Sequence, residues 1–500
     1  MNRPIRNLAV FCLLLFLALM ANATYLQYFQ AKNLTSLTKH SDNTRVADAA
    51  FAEPRGAIIV NGRAIARSTK STDQYKYQRV YPFGSEYAHV AGYFSKGRLG
   101  GVESSENDVL TGDAAGLFVN RVLDTLGNQP PKGGDVVLTL NAAAQQAAYA
   151  GLQRLGKNTR GAVVAIEPAT GKILAMVSSP TFDPTRLSSH NFTASSNYYS
   201  RLLKNTLAPL NNRAIEERLP PGSTFKLVTA AAALSSGKYN PESLVPGGAT
   251  LDLPQSSSVV HNESRGSCGG TKITLTRALD VSCNVAFGTV GIALGGKALL
   301  DQAEKFGFNA SKPYFTGLDD SLTSQVPSVF PTGLNAPNSA LSAIGQYDVQ
   351  ATPLQMAMVA AGIANNGKVM KPQIISEIRS ADLDVIKPVD SVPLNPSDPQ
   401  AVSPEVAREL TQMMVSVVDE GTGTTAQIPG VKVAGKTGTA QSAPSRPPYA
   451  WFVSFAPADN ARVAVAVLIQ DANVERNAIS GSGLAAPIAK TVMEAVLNQK

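Results

Sequence analysis

Three short patterns in this 500-residue chain could together carry out acyl transfer on a carbonyl. Ser223 and Lys226 stand three apart, Ser282 and Asn284 two apart, and Lys436-Thr437-Gly438-Thr439 occurs once. Ser-x-x-Lys alone says little, since it also occurs at Ser36–Lys39 and Ser235–Lys238. Ser-x-Asn recurs at Ser41–Asn43, Ser189–Asn191 and Ser195–Asn197. Context selects among them. Pro220-Pro221-Gly222 stops the chain before Ser223, and Leu227–Leu234 reads as a buried helical continuation. Ser223 therefore opens a helix and shares one face with Lys226. A lysine stripped of water and set near other cations loses basicity, so it can accept a serine proton. The helix N-terminus adds backbone N–H groups and positive dipole where an oxyanion would form. Ser36–Lys39 and Ser41–Asn43 have no apolar helix to hold them and are set aside.

Lysine 436 and the two threonine hydroxyls, Thr437 and Thr439, suit a substrate carboxylate. Val431–Ala434 reads as the strand leading into them and Ala450–Ala456 as its neighbour. Gly438 would let a substrate backbone lie against that strand as an added edge. Other chemistries fit poorly. His40, His89, His190 and His261 lack the surroundings of a general base, and no Gly-x-Ser-x-Gly elbow accompanies them. Gly421-Thr-Gly423-Thr-Thr-Ala426 resembles a dinucleotide fingerprint in letters only, because it follows a helical stretch, Pro404–Val418, rather than a strand. Four histidines and three cysteines argue against a metal centre, and no cofactor is expected.

The elements that must position these residues follow from texture. A turn-rich region runs from Phe51 to about 126, and Gly127–Gly134 punctuates it as a linker. Val136–Leu140 reads as a strand and Ala142–Leu155 as a helix. Ala162–Glu167 and Ile173–Ser178 form an apolar hairpin, and Arg462–Gln470 is a further strand. The stretch between the early and late strands reads as helical, and Ala485–Leu497 closes the chain as a helix. Strands at both ends of a long helical middle imply an α+β arrangement, one sheet packed against helices.

Composition bounds the remainder. An apolar fraction of 44% with only 16% charged residues excludes a disordered chain, and a mean hydropathy of -0.02 excludes many membrane spans. The net charge of +7 is dispersed, without the basic patch a nucleic-acid partner requires. Arg3 and Arg6 precede an apolar run from Leu8 to Leu26, which orients the following chain outside the cytoplasm. Ala21-Asn22-Ala23 also fits a signal-peptidase site, so composition leaves anchor and cleaved signal both open. Outside the cytoplasm Cys268 and Cys283 are either bridged or two buried thiols.

On these residues the chain resembles the class B penicillin-binding proteins, whose three elements occur in this order, here as Ser223–Lys226, Ser282–Asn284 and Lys436–Gly438. Supporting stretches are Glu53–Ile59, Tyr81-Pro82, Ala88-His89-Val90, Gly92-Tyr93, Asp135–Leu140, Gly161–Pro180, Ala351–Met356 and Trp451-Phe-Val. The resemblance implies a cytoplasmic tail (1–7), an uncleaved membrane anchor (8–26), a non-catalytic, pedestal- or dimerisation-like N-terminal domain (27–150), and an extracytoplasmic transpeptidase domain of serine β-lactamase-like fold (151–500). It further implies a penicillin-sensitive peptidoglycan D,D-transpeptidase serving wall synthesis and division. Ser223 is then the nucleophile, Lys226 the base and Ser282 the proton relay. Asn284, Lys436, Thr437, Gly438 and Thr439 bind substrate. Implied partners are peptidoglycan stem peptides, β-lactams, a membrane glycosyltransferase and division proteins. Cys283 sits inside the second motif, where the family requires no cysteine, and a bridge to Cys268 would hold Ser282 and Asn284 in place. A D,D-carboxypeptidase, a β-lactamase or a non-catalytic scaffold stays open on the residues alone.

Overall fold

The structure, a computed structural model, describes residues 3–30, 48, 51–117, 132–315, 318, 325–380, 384–440, 447–472, 474–475 and 478–498. Ser36–Lys39, Ser41–Asn43 and most of the 127–134 punctuation lie outside the described residues. Helix α1 (Arg3–Thr24) is apolar on every side and exposed throughout, and with its continuation to Phe29 it is long enough to cross a membrane.

Two sheets organise the remainder. In chain order their strands are β1 (Ile58–Val60), β2 (Arg63–Lys70), β3 (Tyr77–Val80), β4 (Asp135–Leu138), β5 (Arg160–Ile166), β6 (Ile173–Ser179), β7 (Ile375–Arg379), β8 (Val385–Pro388), β9 (Ala434–Ala440), β10 (Tyr449–Ala456) and β11 (Val463–Asp471). The helices that matter here are α2 (Ala142–Arg154), α3 (Lys226–Ser235), α4 (Asn284–Leu294), α5 (Pro353–Ala364), α6 (Pro404–Asp419) and α7 (Ala486–Leu497).

The catalytic sheet has the order β9-β10-β11-β5-β6, and every neighbouring pair is antiparallel. It is buried on both faces, which explains runs such as Val463-Ala-Val-Ala-Val-Leu-Ile469 with no polar alternation. Val463, Val465 and Val467 pack with α2 and α7, whereas Ala464 and Ala466 face the layer of α5. Small residues on that face let the helix approach closely. Sheet order leaves β9 with one neighbour only, so its outer edge is unpaired within the sheet.

The second sheet, β8-β7-β4-β1-β2-β3, draws strands from both sides of the 150/151 boundary expected from sequence. Strands β7 and β8 come from the far side of the catalytic region, yet β7 pairs with β4 of the N-terminal region. Helix α2, which spans that boundary, packs on α7 and on β6 of the catalytic sheet. The middle of the chain is also less helical than expected, because it contributes β7, β8 and four three-residue strands between 244 and 274. Short strands of this kind have too few residues to show an alternating pattern. Under the N-terminal sheet, Glu103 is fully buried between Arg79, at 2.5 Å, and Arg55, at 3.0 Å. Burial alone would raise its carboxyl pKa, but the two guanidiniums outweigh burial and hold it low.

Candidate active site

The Ser223 turn is built tightly. Gly222–Phe225 forms a 3-10 turn that feeds α3, so Ser223 precedes the α-helix by one turn rather than opening it. Gly222 takes φ +54°, and a Cβ there would lie 3.0 Å from Ala440 of β9. Its N–H donates to the Gly345 carbonyl at 3.0 Å. Trp451 of β10 donates its indole N–H to the Pro220 carbonyl at 2.9 Å. The turn is thereby clamped against the sheet edge.

Lys226, fully buried, gathers the first two motifs. Its Nζ lies 3.0 Å from Ser223 Oγ, 2.7 Å from Asn284 Oδ1, 2.6 Å from the Ser282 carbonyl and 3.2 Å from Ser282 Oγ. Lys436, also fully buried, approaches from the other side, donating to Ser282 Oγ at 2.9 Å and to the Thr437 carbonyl at 2.8 Å. Ser282 Oγ therefore sits between two lysines separated by 210 positions in sequence (436 − 226). Ser282 takes φ +58°, uncommon for a residue with a Cβ, which turns its carbonyl and hydroxyl together toward Lys226.

Burial pushes Lys226 well below the ordinary lysine range, and Lys436 adds repulsion while Glu263 opposes. Burial likewise brings Lys436 down to about 7, against the pull of Glu263 and Asp280. A neutral Lys226 amine can accept the Ser223 hydroxyl proton along the 3.0 Å contact.

Lys436, Thr437, Gly438 and Thr439 lie within β9 itself, paired with Val453, Phe452, Trp451 and Ala450. The strand was expected at Val431–Ala434, just before them. It begins instead at Ala434, because Val431 closes a turn with Ile428. A Cβ at Gly438 would come within 2.9 Å of Thr224 Cγ2, so glycine there lets the strand seat against the Ser223 turn. Thr437 is buried and Thr439 half-buried.

Thr422 was not singled out from sequence. Its Oγ1 lies 2.6 Å from Thr437 Oγ1, and its N–H donates to the Asp280 carbonyl at 3.0 Å. The usable signal was Gly421-Thr-Gly423, set aside as a false fingerprint. A Cβ at Gly421 would fall 2.6 Å from that same carbonyl, so glycine permits the approach. His261 meets the site only through its carbonyl, which accepts from Asn284 Nδ2 at 2.9 Å. Cys268 and Cys283 form a disulfide, with Cα atoms 5.9 Å apart. Among the described residues no cluster of His, Cys, Asp and Glu could hold a metal.

Residues 161–494 match the penicillin binding protein transpeptidase domain, and residues 55–136 match the penicillin binding protein A dimerisation domain. The chain is 38% identical to the peptidoglycan D,D-transpeptidase PbpA of Mycolicibacterium smegmatis, over 100% of both chains. It is 38% identical to PbpA of Mycobacterium tuberculosis over 99% of both. The ceftriaxone acyl-enzyme complex of penicillin-binding protein A from M. tuberculosis superposes with a TM-score of 0.83 at 37% identity, covering 90% of this chain and 100% of that one. A D,D-transpeptidase domain from Eggerthella lenta superposes with a TM-score of 0.73 at 31% identity, covering 89% and 98%.

Proposed function

This chain belongs to the penicillin-binding protein transpeptidase family and is a serine-type peptidoglycan D,D-transpeptidase, in which we propose that Ser223 is the acylated nucleophile. Ser223 Oγ attacks the carbonyl carbon of the penultimate D-alanine of a stem peptide, and its proton passes to Lys226 Nζ. Backbone N–H groups at Ser223 and Thr439 stabilise the oxyanion. The C–N bond then breaks, and Ser282 Oγ delivers a proton to the departing D-alanine, replacing it with one from a neighbouring lysine. An amine of a second stem peptide attacks the ester, the cross-link forms and the Ser223 hydroxyl is restored. With a β-lactam the same attack opens the ring, and the leaving amine stays tethered beside the ester.

Asn284 orients Lys226 and the substrate amide. Lys436, Thr437 and Thr439 take the terminal carboxylate, and the free edge of β9 offers the donor peptide a strand to pair with. One observation carries the assignment: the fully buried Lys226 Nζ reaches Ser223, Ser282 and Asn284 at once. Helix α1 supports a membrane-anchored protein, with Arg3 and Arg6 inside and the catalytic domain outside. A membrane glycosyltransferase and division proteins are the partners proposed on family grounds.

The test uses a labelled penicillin. Wild type should retain the label covalently, and Ser223→Ala should take none. Labelling of Ser223→Ala would overturn the nucleophile, and release within seconds would favour a β-lactamase.

A further inference from the structure

We propose that Asn262, which lies outside all three motifs, is a positioning residue for acylation: its buried side chain, with the adjoining His261 carbonyl, sets the orientation of Asn284 and through it of Lys226. The inference rests on the reading of Lys226 as the base.

Helix α4 begins at Asn284 and lacks a cap of its own. Its N-cap is Cys283, whose side chain makes no cap bond because the sulfur is committed to Cys268. The first N–H groups of such a helix need an acceptor from elsewhere. Asn262 supplies it from another segment: Oδ1 accepts from Asn284 N at 3.0 Å and from Val285 N at 3.1 Å. Its Nδ2 donates to the Gly248 and Gly266 carbonyls, both at 2.8 Å. Both ends of one amide are thus occupied, and the side chain cannot turn over without losing all four bonds. Asn262 is 5% exposed, the burial expected of a fully satisfied polar group rather than a surface one.

The neighbouring carbonyl completes the arrangement. His261 O accepts from Asn284 Nδ2 at 2.9 Å, which leaves Asn284 Oδ1 as the atom facing Lys226 Nζ at 2.7 Å. Reversed, the Asn284 amide would present N–H groups to an amine that needs an acceptor there. Oδ1 of Asn284 and the Ser282 carbonyl each take one Lys226 N–H, so the nitrogen stays 3.0 Å from Ser223 Oγ. Small displacements of a reacting group cost rate steeply even where binding is untouched. Asn262 therefore acts on the acylation step through Lys226, beyond any contribution of Asn284 to holding the substrate amide.

The experiment measures acylation of the full chain by a fluorescent penicillin after rapid mixing, separating initial binding from the acylation rate. Asn262→Ala should lower the acylation rate about tenfold or more while initial binding stays within about twofold. Asn262→Asp keeps the acceptor for the two N–H groups, and the helix dipole favours its charge, but its second oxygen faces the Gly248 and Gly266 carbonyls without a donor, so it should recover only part of the loss, to within about fivefold of wild type. Its added charge lies beside Glu263 and near Lys226, Lys436 and Asp280, so rates are compared on the alkaline plateau. Melting temperature and thiol titration confirm an intact fold and disulfide. Wild-type acylation by the alanine variant, a loss confined to initial binding, or equal losses in both variants would overturn the proposal. Should Asn262→Ala not fold, a folded Asn262→Asp acylating at under about a tenth of the wild-type rate overturns it. If wild type itself takes no label, the reading of Ser223 and Lys226 fails first.

Discussion

Ser223, Lys226, Ser282 and Lys436 form a proton path of alternating hydroxyls and amines, and its chemistry requires amines that are neutral near neutral pH. Lys226→Arg keeps a long basic side chain but stays protonated and cannot accept the Ser223 proton. We expect its penicillin acylation rate to fall by about 10²–10⁴-fold, the range for losing a general base, as measured by gel fluorescence. The depressed lysines also bear on stability. Lys436 titrates near 7 when folded against an ordinary 10.5, so between those values the unfolded chain holds the extra proton and stability rises with pH. Below about 7 the full cost of burying this lysine applies, about 5 kcal/mol at 1.36 kcal/mol per pKa unit. Lys436→Met should therefore raise the melting temperature at pH 7, flatten the rise between pH 7 and 10, and abolish labelling. A melting temperature below wild type would show that the bonds to Ser282 and Thr437 outweigh the burial cost.

At the scale of elements, the site is a meeting of the Ser223 turn, the N-terminus of α4 and strand β9. Gly438→Ala puts a methyl 2.9 Å from Thr224 Cγ2 and should slow acylation by about 10²-fold through displacement of β9. Thr224→Ser removes that methyl, so the double variant should recover part of the loss in the same assay; no recovery would point to the Pro221 carbonyl, 3.1 Å away. The disulfide closes a 15-residue separation, and its loss should cost about 3 kcal/mol on the loop-entropy account. Reduction should also slow acylation, since Ser282 at φ +58° depends on its surroundings to hold that conformation. Chemical denaturation with and without reductant measures the first effect, and labelling under the same conditions the second.

At the scale of the whole molecule, β7 and β8 tie the catalytic region to the N-terminal sheet, and α2 returns the favour by packing on α7. Residues 151–500 expressed alone should be poorly soluble and melt lower than residues 51–500, because β7 loses β4 and the catalytic sheet loses most of α2. Equal melting temperatures would show that the two regions are energetically independent. Glu103 offers a second check: Glu103→Ala leaves Arg55 and Arg79 buried without a counter-charge and should cost about 3–5 kcal/mol in the N-terminal region.

Local pattern made much of this legible. The Ser223 helix, the hairpin of β5 and β6, strands β10 and β11 and the closing helix lie within a few residues of where apolar periodicity and turn residues put them. The three motifs could be read because each is short, contiguous and set in a distinctive context. Strand β7 was missed because its partner β4 is more than 200 positions away, and no local signal encodes so distant a pairing; β8 pairs only with β7 and went with it. Thr422 and Asn262 were missed for a related reason: each acts through side-chain hydrogen bonds to a motif residue outside its own local element, 15 and 22 positions away. Residue types and spacing determined which groups can react. Tertiary structure alone decided that Lys226 and Lys436 are buried and converge on one hydroxyl, because burial and through-space charge depend on the packing of segments far apart in the chain.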